Sequence, residues 1–259
     1  MCFPPGLILI FAGVLITLLP STFLQRIIAL LSPFIALVFI WTASPENIIQ
    51  FTWLSETINL LKVTSLGQLF ATVFSIMVLV GTIYGLGAGI KKLELAAAFI
   101  YAGAAISVCM VGDLLSLFIF WELMALASTY IIFAGGTHAA FAAGQRYLAI
   151  HLLGGVLLLI GIGGHWSETG SISFEVMQLD TTYQWLILGA FLINAGAPPL
   201  SSWLPDAYPE SSPSGMVFLS AFTTKTAVFT ILHCFAGQEV LIYFGLFMIF
   251  YGIIYALLE

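Results

Sequence analysis

The chain has 259 residues, of which 61% are hydrophobic and only 7% are charged, and its mean hydropathy is +1.12. Soluble domains carry roughly 25% charged residues, so this sequence could not cover a water-facing surface, and a lipid bilayer is its natural solvent. A net charge of −6 gives no reason to expect a nucleic-acid partner. The cysteines Cys2, Cys109 and Cys234 are too dispersed to form a metal-ligand motif or a disulfide framework.

Apolar stretches of about 20 residues predict helices that cross the bilayer. In chain order the nine candidate segments are Gly6–Pro20, Ile27–Ala43, Leu66–Gly89, Leu93–Gly112, Leu114–Ala134, Tyr147–Gly164, Trp185–Leu200, Ser214–Ala236 and Val240–Leu258. The first is short, but it lacks the basic region and cleavage site of a signal peptide, so we interpret it as a retained helix. The predicted fold is therefore all-α: a single polytopic transmembrane bundle over residues 1–259, with about nine helices and a seventh helix broken by prolines.

The loops predict an orientation, because basic residues accumulate on the cytoplasmic side of membrane proteins. The basic residues predicted on one side are Arg26, Lys91, Lys92 and Arg146. The other side carries only Lys62 and the long acidic connection Trp166–Gln184. This places the N-terminus outside and the connection Ser201–Ser212 inside, with Ser212 as the cap of the eighth helix.

Three polar residues lie near the middle of apolar segments: Glu122 in the fifth, Asn194 in the seventh and Lys225 in the eighth. An ionisable side chain at that depth costs several kcal/mol and usually faces a polar interior where it has a function. We interpret Glu122 and Lys225 as coupled charges of a proton or cation path, since each ionised group favours ionisation of the other. The alternative is an ion pair that only fixes helix packing.

The seventh segment contains Pro198 and Pro199, which lack the N–H groups that would bond the carbonyls of Asn194 and Ala195. Backbone carbonyls that lack an intrahelical hydrogen bond are tolerated at membrane depth only where they face protein or water. The prolines therefore predict a hydrated pocket beside Asn194, although a kink satisfied by a neighbouring helix fits equally well.

His151 lies near the predicted inner end of the sixth segment and has a side chain that titrates near neutral pH. It is a candidate residue for proton uptake, and a packed or interfacial histidine is the alternative. The sequence contains no carboxylate pair, nucleophile triad, phosphate loop or metal-ligand cluster. We therefore expect no catalytic site, cofactor or metal in this chain.

Five stretches resemble the antiporter-like membrane subunits shared by Mrp-type sodium/proton antiporters, respiratory complex I and membrane-bound hydrogenases, and the D-type subunit of Mrp antiporters looks the most similar of these. They are Asp113–Glu122 (DLLSLFIFWE), Gly144–His151 (GQRYLAIH), Trp203–Glu210 (WLPDAYPE), the segment around Lys225 and Tyr251–Glu259 (YGIIYALLE). The WLPDAYPE loop followed by a lysine in the next helix is the specific part of the resemblance. The resemblance implies that Glu122 tunes a proton half-channel and that Lys225 links it to a central hydrated axis. Any redox centres would then lie on partner subunits.

The chain departs from the family pattern in two ways. The proton-binding lysine before the break of the seventh helix is replaced by Asn194, which cannot exchange a proton at physiological pH. The family also repeats a five-helix half-channel in inverted form. Here residues 1–92 would be three peripheral helices, 93–236 the first half-channel and 237–259 a ninth helix, with the second half missing. We expect a fragment, a split subunit or a degenerate relative.

The expected function is that of a membrane subunit of a multi-subunit cation/proton antiporter or a related proton-translocating NADH dehydrogenase-type complex in a prokaryotic plasma membrane. Its partners would be other membrane subunits, H⁺, Na⁺ and lipid. The alternatives are a scaffold subunit that transports nothing and an inactive truncated fragment.

Overall fold

The computed structural model describes residues 3–46, 49–53 and 56–258, so Cys2 and Glu259 lie outside the described residues. The helices are α1 Pro5–Leu18, α2 Thr22–Thr42, α3 Ser65–Ala88, α4 Lys92–Met110, α5 Leu114–Phe133, α6 His138–Thr169, α7 Thr182–Ala195, α8 Trp203–Ala207, α9 Pro213–Ala221, α10 Thr223–Cys234 and α11 Val240–Leu258. Among these described residues, eight helical segments, two of them interrupted, are long and apolar enough to cross a membrane, and α1 is shorter. The predicted multi-pass helical bundle is confirmed.

A short antiparallel hairpin follows α2, where no strand was predicted. Strand β1 (Ile49–Trp53) pairs with β2 (Glu56–Leu61). The hairpin is fastened over the junction of α4 and α5, because Asn59 donates its N–H to a carboxylate oxygen of Asp113 at 2.7 Å. The other oxygen of Asp113 accepts from the N–H of Ser116, also at 2.7 Å, and caps α5.

Helix ends follow local capping chemistry. The hydroxyl of Ser212 accepts from the N–H of Gly215, so the predicted cap of the eighth helix is confirmed. The sixth helix is longer than the predicted segment: α6 starts at His138 behind the capping hydroxyl of Thr137 and runs 32 residues. The predicted outer loop Trp166–Gln184 is correspondingly shorter, because α6 continues to Thr169 and α7 begins at Thr182.

The alanine-rich helix α4 is the centre of the bundle. It packs against α1, α3 and α5 and buries 16 of its 19 residues. Small side chains let neighbouring backbones approach closely. At the crossing with α1 a Cβ on Gly103 would collide with the carbonyl of Gly6, so this contact requires glycine.

Charged groups collect at the two ends of the bundle as predicted. At one end Lys91 donates to the carbonyl of Ala134 at 3.3 Å, and Lys92 donates to the carbonyl of Leu19 at 2.9 Å. At the opposite end Lys62 pairs with Glu175 at 2.8 Å. This hydrogen bond from Lys62 lowers the pKa of Glu175 below its ordinary value.

Candidate functional site

Glu122 on α5 points at α6, directly toward Gly155. A Cβ at position 155 would overlap Oε1 of Glu122, so the carboxylate occupies the space that the missing side chain leaves. Oε1 is buried and has no hydrogen-bond partner among the described residues. A buried polar oxygen without a partner costs about 1–3 kcal/mol, which favours hydration of this carboxylate.

Gly154 and Gly155 form a glycine pair on α6, and Asn194 lies on the side of this pair opposite to Glu122. Its Oδ1 is 3.5 Å from the place that a Cβ of Gly154 would take, and the residue is only 3% exposed. Like Oε1 of Glu122, this oxygen is buried without a hydrogen-bond partner in the described part of the chain. Two unsatisfied acceptors, from α5 and α7, therefore flank adjacent glycines of α6.

The break after Asn194 is confirmed, but its local cause differs from the predicted one. Helix α7 ends at Gly196, which adopts a left-handed conformation with φ of +78°, ahead of the two prolines. The N–H of Ala197 bonds the carbonyl of Leu192 at 2.9 Å and that of Gly196 bonds Ile193 at 3.1 Å. This is a glycine C-cap of the Schellman type. Pro198 and Pro199 follow, and helical turns resume at Leu200.

The WLPDAYPE stretch holds the broken segment against α6. The indole of Trp203 donates to the carbonyl of Ile193 at 3.1 Å. Asp206 binds Arg146 through two hydrogen bonds of 2.7 and 2.8 Å, a bidentate arrangement with defined geometry. The motif thus fixes the backbone next to Asn194.

His151 lies one helical turn before the glycine pair on α6 and is only 1% exposed. Its ring stacks on Tyr147 with centroids 3.9 Å apart and meets the edge of Trp203 at 4.7 Å. Nδ1 is 2.9 Å from the carbonyl of Tyr147, which can only accept, so Nδ1 carries the proton. Nε2 is left buried without a partner among the described residues, so it can accept a hydrogen bond.

Lys225 lies in the first turn of α10, where the eighth predicted helix is interrupted at Phe222. The predicted eighth membrane segment is present as Pro213–Cys234, with an interruption at Phe222 that the sequence did not predict. The ammonium donates to the backbone carbonyl of Ser220 at 2.6 Å and is exposed on the surface of the described chain. Within that part of the chain the ion pairs are Lys62–Glu175 and Arg146–Asp206. Glu122 and Lys225 thus form no ion pair among the described residues, since Lys225 binds a carbonyl of α9, and the coupling of their charges stays a prediction.

A set of buried hydroxyls, not predicted as part of the site, connects four helices. Tyr147 bonds Ser128 of α5 at 2.9 Å and Thr223 of α10 at 3.4 Å. Thr223 also bonds the hydroxyl of Tyr101 on α4 at 2.5 Å. These residues extend polar contacts from the neighbourhood of His151 toward the helix that carries Lys225. In the sequence, the signal for such contacts was the group of hydroxyl residues before Lys225, namely Ser220, Thr223 and Thr224.

A sequence profile of the family described as NADH:quinone oxidoreductase/Mrp antiporter, TM, matches residues 111–258. The chain is 32% identical over 168 residues to a probable K⁺/H⁺ antiporter protein of Rhizobium meliloti, the D-type subunit, which covers 55% of this chain and 31% of that protein. It is 31% identical over 148 residues to the N-type subunit of the NADH-quinone oxidoreductase of Desulforudis audaxviator, covering 52% of this chain and 29% of that protein.

Among solved structures, the fold is similar to a chain of the membrane-bound sulfane sulfur reductase, an archaeal respiratory membrane complex, with a TM-score of 0.75 at 24% identity. The match covers 88% of this chain and 40% of the archaeal one. The similarity thus extends over most of this chain, while the chain corresponds to less than half the length of its structural relative.

Proposed function

The chain belongs to the NADH:quinone oxidoreductase/Mrp antiporter membrane family, and on that premise we propose that it contributes a proton half-channel to a multi-subunit cation/proton antiporter or a related proton-translocating complex. It is a multi-pass membrane protein. The relatives described above are named as subunits, which supports assembly with other membrane subunits. H⁺ is the proposed transported ion, with Na⁺ as the exchanged cation.

The observation that carries the proposal is the group of unsatisfied buried polar atoms around the glycine pair of α6. Oε1 of Glu122, Oδ1 of Asn194 and Nε2 of His151 all lack protein partners among the described residues. Buried polar groups in stable packing are almost always hydrogen-bonded, and internal water commonly provides the missing bonds. Hydration at this place would provide a route for protons at membrane depth.

In the proposed path each side chain has a different task. Glu122 takes up and releases a proton, and His151, through its buried and unpaired Nε2, passes protons to it from the side of the Arg146–Asp206 pair. Asn194 exchanges no proton but orients water with its amide. The hydroxyls of Ser128, Tyr147 and Thr223 continue the polar route toward Lys225. Helices α4 to α10 form the half-channel unit in this proposal, and α11 lies outside it.

Ion flux in the complete assembly tests the proposal. With the full set of partner subunits reconstituted in liposomes, Glu122→Gln and Lys225→Ala should each reduce proton-coupled cation flux by on the order of tenfold or more. The reason is that each variant removes an ionisable group for which the bilayer interior offers no substitute. Flux is followed with a pH-sensitive dye inside the vesicles.

Glu168→Gln and Lys62→Ala are the matched controls, because Glu168 and Lys62 carry the same charges away from the glycine pair of α6. Both controls should transport at the native rate. If Glu122→Gln and Lys225→Ala also transport at the native rate, the chain acts as a scaffold, a function that the neutral Asn194 would fit.

We further propose that the chain lies in a prokaryotic plasma membrane with its N-terminus outside. The support is the distribution of charge in the fold: Lys91, Lys92 and Arg146 lie at one end of the bundle, and Lys62 lies at the other with Glu175. Under the positive-inside rule, the end with Arg146 faces the cytoplasm.

A further inference from the structure

The interruption between α9 and α10 occurs where the sequence has no helix breaker. Residues 219–225 read LSAFTTK, without proline or glycine. In an unbroken helix the N–H of Thr223 would bond the carbonyl of Leu219, and that of Thr224 would bond Ser220. A sharp break in a helix needs an identifiable cause, and here it lies in side chains from outside the helix.

Three side chains satisfy the backbone groups that the break releases. The hydroxyl of Tyr101 accepts the N–H of Thr223 at 2.8 Å. The hydroxyl of Tyr208 donates to the carbonyl of Leu219 at 2.8 Å. Lys225 donates to the carbonyl of Ser220 at 2.6 Å. The break is thus paired on both sides, from α4, from the segment after α8 and from Lys225 itself.

The surrounding packing keeps this geometry rigid. Tyr101 is fully buried, and the ring of Phe222 meets it edge-on with centroids 5.2 Å apart. On its other side Phe222 meets Phe74 of α3 in the same manner at 5.3 Å. Such edge-to-face contacts stabilise aromatic pairs beyond the burial of their area. Phe222 is therefore clamped between α3 and α4 in the conformation that interrupts the helix.

We propose that Tyr101 and Tyr208 are positioning residues that hold the α9–α10 break open, and that the open break presents the Ser220 carbonyl to the ammonium of Lys225. The transport consequence rests on the proposed function, whereas the positioning of Lys225 can be measured without it. If the Thr223 N–H lost the Tyr101 hydroxyl, it would regain its bond to Leu219 by closing the break. Thr224 would then occupy the carbonyl of Ser220 and release Lys225.

The chemical reactivity of Lys225 in the assembled complex tests this inference. Tyr101→Phe and Tyr208→Phe each remove one hydroxyl and keep the ring. In both variants acetic anhydride should acetylate Lys225 severalfold faster than in the native protein, because an amine released from the carbonyl is more available as a nucleophile. Peptide mass spectrometry reads each site separately, and Lys62 at the far end of the bundle should react at its native rate throughout.

Tyr130→Phe is the matched control, since Tyr130 is a half-exposed tyrosine of α5 that lies away from the break. In this variant Lys225 should be acetylated at the same rate as in the native protein. Acetylation of Lys225 at the native rate in both Tyr101→Phe and Tyr208→Phe would overturn the inference. If Tyr101→Phe fails to assemble, Tyr208→Phe decides alone. Faster acetylation together with native flux in Lys225→Ala would contradict the proposed function and leave the positioning role in place.

Discussion

Gly155 determines where the carboxylate of Glu122 can lie. Ionisable residues inside apolar segments stand out in any sequence, so Glu122 and Lys225 could be identified without a structure. The residues that contact them could not be identified in this way, because these contacts depend on the register between helices. Gly155 faces Glu122 because of the register in which α5 and α6 pack. The unpaired oxygens of Glu122 and Asn194 are likewise properties of packing.

We predict that Gly155→Ala reduces proton-coupled flux by on the order of 10- to 100-fold, because the added methyl group displaces the carboxylate and misplacements of about 1 Å can cost that much. Liposome flux of the complete assembly measures it. Gly163→Ala is the control on the same helix, since nothing lies within 4 Å of a Cβ there. Equal flux in both variants would mean that the position of the carboxylate has no part in transport.

At the scale of elements, local chemistry explains what was predictable. Ser212 caps α9 as expected because a serine before proline is a strong helix start. The break at Phe222 could not be predicted locally, because it comes from Tyr101 and Tyr208, which are distant in sequence. The hairpin has the alternating aromatic and β-branched residues that are typical of strands, but its strands are far shorter than the apolar runs that predict membrane spans.

Gly196 rather than the prolines ends α7, and this predicts which substitution weakens the fold. Gly196→Ala should lower the unfolding free energy by about 1–2 kcal/mol or more, because its φ of +78° is costly for residues with a Cβ and the methyl group would also press on Leu204. Thermal unfolding in detergent, followed by tryptophan fluorescence, measures the loss.

Gly189→Ala provides the comparison within α7. Position 189 is helical with open space around a Cβ, so alanine there should be neutral or slightly stabilising. If Gly196→Ala and Gly189→Ala unfold with the same thermal midpoint, the left-handed cap at Gly196 contributes nothing to stability.

At the scale of the whole molecule, the charged ends define a direction across the bilayer. The segregation of basic residues was predictable from the loops, whereas the contacts that fix each end, such as Arg146 with Asp206, depend on the fold. Hydropathy also predicted the number of apolar segments. It could not identify α4 as the central helix, because alanine-rich and lipid-facing helices have similar mean hydropathy.

The proposed orientation predicts opposite labelling of the two ends in intact cells. In a background without Cys2, Cys109 and Cys234, Val176→Cys should react with a membrane-impermeant maleimide added outside, and His138→Cys should react only after permeabilisation. Both positions are exposed, at opposite ends of the bundle. The reverse pattern would mean that the N-terminus faces the cytoplasm.

Helix α1 has a consequence for the lipid around the protein. Its 14 residues rise about 21 Å at 1.5 Å each, against a hydrocarbon thickness of roughly 30 Å. The close contact between Gly6 and Gly103 fixes the position of α1 along α4. The helix therefore cannot shift along the membrane normal to divide the missing length between the two leaflets. We therefore expect the acyl chains beside α1 to shorten or tilt, which would thin the bilayer there and bring headgroups and water closer to the bundle than elsewhere along its perimeter.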